Sequence, residues 1–188
     1  MGLNLLYNVG KSADSEPRMV ILEYKGSNEK AISHAIIGKG VTYDTGGLNL
    51  KPTGYMETMY LDKHGACSAL GVMMLVATLN LKINIVCALA LAENSIDGSS
   101  YKPGDIITSY KGHTVEIGNT DAEGRLCLAD VMTFVQEEYK PKKMIDIATL
   151  TGACMVALGN KTAGLFTNNT GLADKISLAS KYIIDELI

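Results

Sequence analysis

The sequence contains no tryptophan, only two phenylalanines, four prolines and three histidines. The histidines, His34, His64 and His113, form no HExxH pair, so any metal site must be built mainly from carboxylates. The four cysteines (Cys67, Cys87, Cys127 and Cys154) form no CxxC and sit in apolar runs. They read as buried free thiols, not as a disulfide framework or a zinc knuckle. No apolar run reaches the roughly 18 residues of a membrane span. The N-terminus lacks a basic segment followed by an apolar core, so no signal peptide is expected and the cytoplasm is the default location. Leu6 stands where a myristoylation motif wants Ser or Thr. A basic excess is missing too: the net charge is −3, which gives no field to attract nucleic acid or anionic lipid. The small cluster Lys140-Pro-Lys-Lys143 is accounted for by a solvated helix end.

What remains is a chain of 188 residues, 47% apolar and 20% charged, enough for one domain with its own core. Met19–Tyr24 and Ala31–Ile37 read as paired strands around the turn Lys25-Gly-Ser-Asn28. A glycine-rich loop, Gly38–Pro52, follows, then a helix over Gly65–Leu81. Ile83–Ala92 is a near-continuous apolar run, as expected of a strand buried on both faces. Asn94–Gly104 is a polar loop. Asp105–Ser109 and Thr114–Ile117 form a hairpin around Lys111-Gly112. Leu126–Tyr139 is a helix stopped at Lys140-Pro141, and Met144–Thr149 is another buried strand. Gly164–Thr167 reads as a short strand and Leu172–Leu187 as a terminal amphipathic helix with no closing strand after it. Strands alternating with helices predict an α/β fold with a largely parallel sheet covered on both faces.

In such sheets ligands gather beyond the carboxyl ends of the strands, and there the polar residues concentrate. The stretch GKGVTYDTGGLNLKP carries Lys39, Asp44 and Lys51. A lysine held near the sheet needs a carboxylate or a metal as partner. The spacing does not match a phosphate-binding GxxxxGK[ST] loop. Asp62 precedes the first long helix, where a helix cap alone explains an aspartate. The same reading applies to Asp121 and Glu123 before the second. NTDAEGR asks for more than a cap. In an extended segment Asp121, Glu123 and Arg125 share a face. If the loops converge, four carboxylates meet, and cations must neutralise them. Two divalent ions bridged by shared carboxylates would do so.

GKGVTYDTGGLNLKP, Asp62, NTDAEGRLCLAD and DIATLTGA, in this order and spacing, resemble the M17 leucine aminopeptidases (cytosol aminopeptidases), from about Gly38 through the terminal helix. The resemblance implies a three-layer α/β/α catalytic domain around a central mixed, largely parallel sheet. It implies two divalent metal ions, Zn²⁺ and/or Mn²⁺, with Asp44 and Glu123 bridging them. Lys39 and Asp62 would complete the tightly held site, and Asp121 the exchangeable one. Lys51 resembles the lysine that polarises the scissile carbonyl, and Arg125 the arginine that holds a bicarbonate ion as general base. Met59, Thr149 and Gly152 match positions near the pocket for the first side chain, and Leu150 a backbone position that contacts substrate. The implied substrates are peptides with a free, preferably apolar N-terminal residue, and family members assemble as homo-hexamers.

Three departures accompany the likeness. Asp62 is followed by Lys63-His64 in place of the family's Met-Gly/Ser-Gly type run. The family's separate N-terminal domain and the final part of its catalytic domain are expected to be absent, so that residues 1–188 form a partial catalytic domain. Two other readings are a catalytically inactive paralogue acting only as an interaction subunit and a different carboxylate-metal enzyme such as a phosphohydrolase.

Overall fold

The computed structural model describes residues 2–182 and the backbone of 186–187. By contact density the chain divides into two units, residues 1–149 and 150–188.

The first unit opens with a short helix α1 (Asn4–Gly10) and strands β1 (Arg18–Lys25) and β2 (His34–Asp44). After a 3-10 turn over Met59–Leu61 come α2 (His64–Thr78) and β3 (Asn84–Asn94). The hairpin β4 (Ile106–Thr108) and β5 (Thr114–Glu116) follows, then a 3-10 turn over Thr120–Ala122, α3 (Glu123–Tyr139) and β6 (Lys143–Ile147). The main sheet has the order β1-β3-β2-β6. β2 runs parallel to β3 and β6, and β1 lies antiparallel to β3.

Alternating side chains of β2 and β3 feed two separate cores, one on each face of the sheet. Ala35, Ile37, Val86, Ala88 and Ala90 pack with Leu5, Leu6 and Val9 of α1 and with Cys127 and Val131 of α3. Ile36, Ile85, Cys87 and Leu89 pack with Ala66, Ala69, Met73 and Val76 of α2. The result is three layers: α1 and α3, the mixed sheet, then α2.

The structure corrects several expectations. β1 and β2 are not a hairpin, because β3 lies between them. β2 and β3 are apolar on both faces and take the interior positions. β1, with burial that alternates along most of its length, suits an edge. Gly38–Asp44 is not a loop but the second half of β2. Its glycines serve close packing: a Cβ on Gly38 would come within 2.6 Å of the Ala66 α-carbon on α2. The DAEGR segment is not extended either, since the 3-10 turn leads directly into α3 at Glu123. α1 carried no expectation at all.

The second unit contains α4 (Gly152–Leu158), β7 (Thr162–Ala163), α5 (Thr170–Ser180) and β8 (Glu186–Leu187), with β7 and β8 paired in parallel. The expected strand at Gly164–Thr167 falls two residues early, and α4 was not foreseen. The helix expected over Leu172–Leu187 ends at Ser180, where Asn169 has capped its start through the Leu172 amide. Residues 183–185 lie outside the described ones, and Glu186–Leu187 is strand, not helix.

Candidate metal centre

Four backbone segments of the first unit deliver the polar residues. β2 carries Lys39 in its interior and Asp44 at its end, after an irregularity in register between Val41 and Asp44. The turn before α2 supplies Asp62 and the turn before α3 supplies Asp121, while Glu123 opens α3. Thr149 follows β6.

Lys39 is buried at the centre of one half. Its Nζ donates to Asp62 Oδ1 at 2.8 Å and to the Thr149 carbonyl at 2.6 Å, and pairs with Glu123 Oε1 at 2.9 Å. The Thr149 hydroxyl donates to the same Asp62 oxygen at 2.7 Å. Lys51 is at the centre of the other half. Gly46 and Gly47, at φ +87° and +64°, turn the chain so that the Lys51 amide donates to the Thr45 carbonyl. The Lys51 ammonium then lies 3.0 Å from Asp44 Oδ2 and 2.6 Å from Asp121 Oδ1.

Four carboxylates therefore face two ammoniums, and the imbalance shows in the acidities. Burial pushes the Glu123 carboxyl up to about 7, and the repulsion of Asp44 and Asp62 adds to it against the pull of Lys39. Burial also raises Asp62, with Lys39 opposing. For Lys39 burial acts downward, but Glu123 and Asp62 outweigh it and hold the ammonium above the ordinary lysine range. Burial likewise opposes protonation of Lys51, and Asp121 and Asp44 again prevail.

Ligand oxygens of Asp44, Asp121 and Glu123 all lie within 4.8 Å of one another. Among the described residues Glu123 Oε2 is buried with no hydrogen-bond partner, and Asp62 Oδ2 has the Lys39 ammonium, 2.8 Å away, as its one polar neighbour. A buried carboxylate oxygen left without a donor is costly. As a donor set these carboxylates fit hard or borderline divalent cations.

None of these carboxylates caps a helix. The cap of the turn before α3 is Asn119, whose Oδ1 accepts from the Asp121 amide at 2.7 Å. α2 starts after Lys63 without a side-chain cap. The Lys63 ammonium donates to the carbonyls of Thr42, at 3.1 Å, and of Tyr60. His64 is exposed at the first position of α2.

The remaining expected residues lie outside this cluster. Arg125 is exposed on the first turn of α3 and makes no ion pair with the described residues. Met59 is half-buried at the start of the 3-10 turn that leads to Asp62. Leu150 and Gly152 belong to the second unit, Leu150 exposed and Gly152 opening α4.

Several polar residues at the site had no assigned role in the sequence. Asn94, at the end of β3, donates from Nδ2 to Asp44 Oδ1 at 2.8 Å and to the Thr120 carbonyl at 3.1 Å. The buried Tyr101 hydroxyl donates to that carbonyl at 2.6 Å. The Thr120 hydroxyl donates to the Gly46 carbonyl at 2.6 Å and accepts from the Asn49 amide. The signal available for Asn94 was its place directly after an apolar strand.

Residues 1–188 match the family model described as "Cytosol aminopeptidase family, catalytic domain", so the likeness extends to the segment before Gly38. A probable cytosol aminopeptidase of Aquifex aeolicus is 50% identical over 181 residues, 96% of this chain and 36% of its own length. A leucine aminopeptidase of Caenorhabditis elegans superposes with a TM-score of 0.96 at 36% identity, over all of this chain and 38% of its own. A cytosol aminopeptidase of Coxiella burnetii gives 0.93 at 36% identity, over all of this chain and 40% of its own. The chain thus spans little more than a third of the length of these relatives.

Proposed function

The chain belongs to the cytosol aminopeptidase family, and from that premise we propose that it forms the metal-holding part of a dimetal aminopeptidase. The reaction assigned is removal of an unblocked N-terminal residue, preferably leucine or another apolar one, from peptides in the cytoplasm. The observation that carries it is the excess of carboxylate: among the described residues Glu123 Oε2 has no hydrogen-bond partner, and four carboxylates share the two ammoniums of Lys39 and Lys51.

Asp44 and Glu123 would bridge two sites. Lys39 and Asp62 would complete one, and Asp121 the other. Two divalent cations, Zn²⁺ and/or Mn²⁺, would acidify a water and stabilise the attacking and developing oxygens. To serve as a ligand Lys39 must give up the proton it shares with Asp62 and Glu123, and neighbouring dications favour that loss. Lys51 already presents a positive charge beside Asp44 and Asp121. Displaced from them, it would donate to the substrate carbonyl oxygen as charge develops there. Arg125 would hold bicarbonate as general base, its exposed guanidinium offering two parallel donors. Met59 and Thr149 would border the first residue of the peptide.

The test is to strip the protein with a chelator, reload it with Mn²⁺ or Zn²⁺, and follow both metal content and leucyl-amide hydrolysis with bicarbonate present. Uptake of two ions with recovery of hydrolysis is the expected result. Full activity in metal-free protein would overturn the reading. Two bound ions without hydrolysis would favour the inactive paralogue, and turnover of phosphate esters alone a phosphohydrolase. Assembly into a homo-hexamer is a separate proposal, measured by mass in solution.

A further inference from the structure

We infer that Asn94 is a positioning residue, whose carboxamide sets the orientation of Asp44 and ties it to the turn that carries Asp121 and Glu123. The inference rests on the dimetal reading above. Asn94 is fully buried. One amide group reaches both halves of the centre: Nδ2 donates to Asp44 Oδ1 and to the carbonyl of Thr120, the residue before Asp121. The backbone carbonyl of Asn94 accepts from both the amide and the hydroxyl of Thr45, the residue after Asp44. With the Gly46 amide also donating to it at 2.9 Å, Asp44 Oδ1 is fully engaged. Only Oδ2, the oxygen beside Lys51, is left to face the centre.

Among the described residues Asn94 Oδ1 has no hydrogen-bond partner. It ends against Gly47, where a Cβ would lie 3.0 Å away. Leucine has nearly the same shape and would remove that orphaned acceptor. Asp44 Oδ1 would keep the Gly46 amide, and the Thr120 carbonyl would keep the Tyr101 hydroxyl. What leucine takes away is the side-chain donor to Asp44 Oδ1, a charge-assisted bond. Holding a ligating carboxylate in one orientation is what such a donor does.

The experiment compares wild type, Asn94→Leu and Tyr101→Phe. Tyr101→Phe removes the other donor to the Thr120 carbonyl without touching Asp44. Mn²⁺ affinity is measured by chelator competition, the visible absorption of the Co²⁺-loaded protein reports ligand geometry, and thermal unfolding of the metal-free protein reports stability. Asn94→Leu is expected to weaken Mn²⁺ binding about 10- to 100-fold and to alter the Co²⁺ spectrum. Tyr101→Phe should leave both within about twofold, an effect too small to reflect loss of a ligand's orienting partner. Unchanged binding and spectrum in Asn94→Leu, or equal losses in both variants, would overturn the assignment. If Asn94→Leu fails to unfold cooperatively, Asn94→Ser, which cannot reach Asp44 from the same backbone position, is judged by the same two criteria. A wild-type protein that binds no Mn²⁺ would bring down the dimetal reading itself, and this inference with it. The wild-type arm separates that failure from one confined to Asn94.

Discussion

The Lys51 ammonium stands 2.6 Å from Asp121 Oδ1, with Asp44 Oδ2 on its other side at 3.0 Å. Without bound cations it is the counter-charge for two carboxylates. On the proposed reading, bound cations would free it for the substrate. Lys51→Ala should therefore retain two metal ions per chain while turnover of leucyl-amide falls on the order of 10²-fold or more. The metal-free variant should also melt below the metal-free wild type, and the two melting temperatures should converge once metal is added. Elemental analysis and kcat measured on the same preparations check this, and loss of metal would make Lys51 a ligand.

Asp44 and Glu123 are buried in the cluster, and Asp121 is exposed. Alanine at Asp44 or Glu123 should empty both sites, whereas Asp121→Ala should retain about one ion, as expected when only the exchangeable position is lost. Equal metal content in the three variants would contradict these roles.

Asp130 ties α1 and the β4–β5 turn to α3. It is fully buried on α3 and accepts from the amides of Leu5 and Leu6 at the start of α1 and from the Tyr110 amide. Asp130→Ala leaves three donors without their acceptor and should lower stability by about 3 kcal/mol or more. Metal content in the folded fraction should not change. Urea unfolding and elemental analysis check the two halves of this statement.

His34 gives the stability an acid-side dependence. Burial, with Lys143 facing it across the β2–β6 register, holds its imidazole below the usual histidine range. The unfolded chain therefore binds a proton more readily than the folded one as pH falls past about 6.5. The contribution is present above that value and is lost as pH falls through the lower folded one. His34→Gln should flatten the slope of unfolding free energy between about pH 7 and pH 5, measured by urea titration at each pH.

Much of this architecture was legible from pattern alone. β3 announced itself as an apolar run, and α2 and α3 as helices, because burial on one or both faces writes a period into the sequence. The strand expected over Met144–Thr149 is there as β6, but it stands at the end of the sheet order with none of its residues buried. Pairing did not announce itself. Lys25-Gly-Ser-Asn28 has the residues of a hairpin turn, yet β1 finds its partner in β3, since the interior places go to the strands that need two neighbours. Glycine misled in β2, where Gly38 answers to the approach of α2 and not to a bend. At the centre, Lys39, Asp44, Asp62, Asp121 and Glu123 were reached as a set through motifs that resemble those of the family. The contacts of Asn94 and Thr120 were not, because they join segments tens of residues apart. α1 was invisible for the same reason. It has no side-chain cap of its own, and its first amides are satisfied from Asp130.

That last contact spans 125 positions of the chain. Contacts of such separation form late, because the intervening loop must be closed before they give anything back. During synthesis α1 is made well before α3, and its acceptor does not exist until residue 130 has been added. The segment Asn4–Gly10 therefore waits, with the α3 side of Leu5, Leu6 and Val9 uncovered, until α3 has docked on the sheet. A nascent chain halted before α3 would expose that apolar segment to whatever binds unfolded protein.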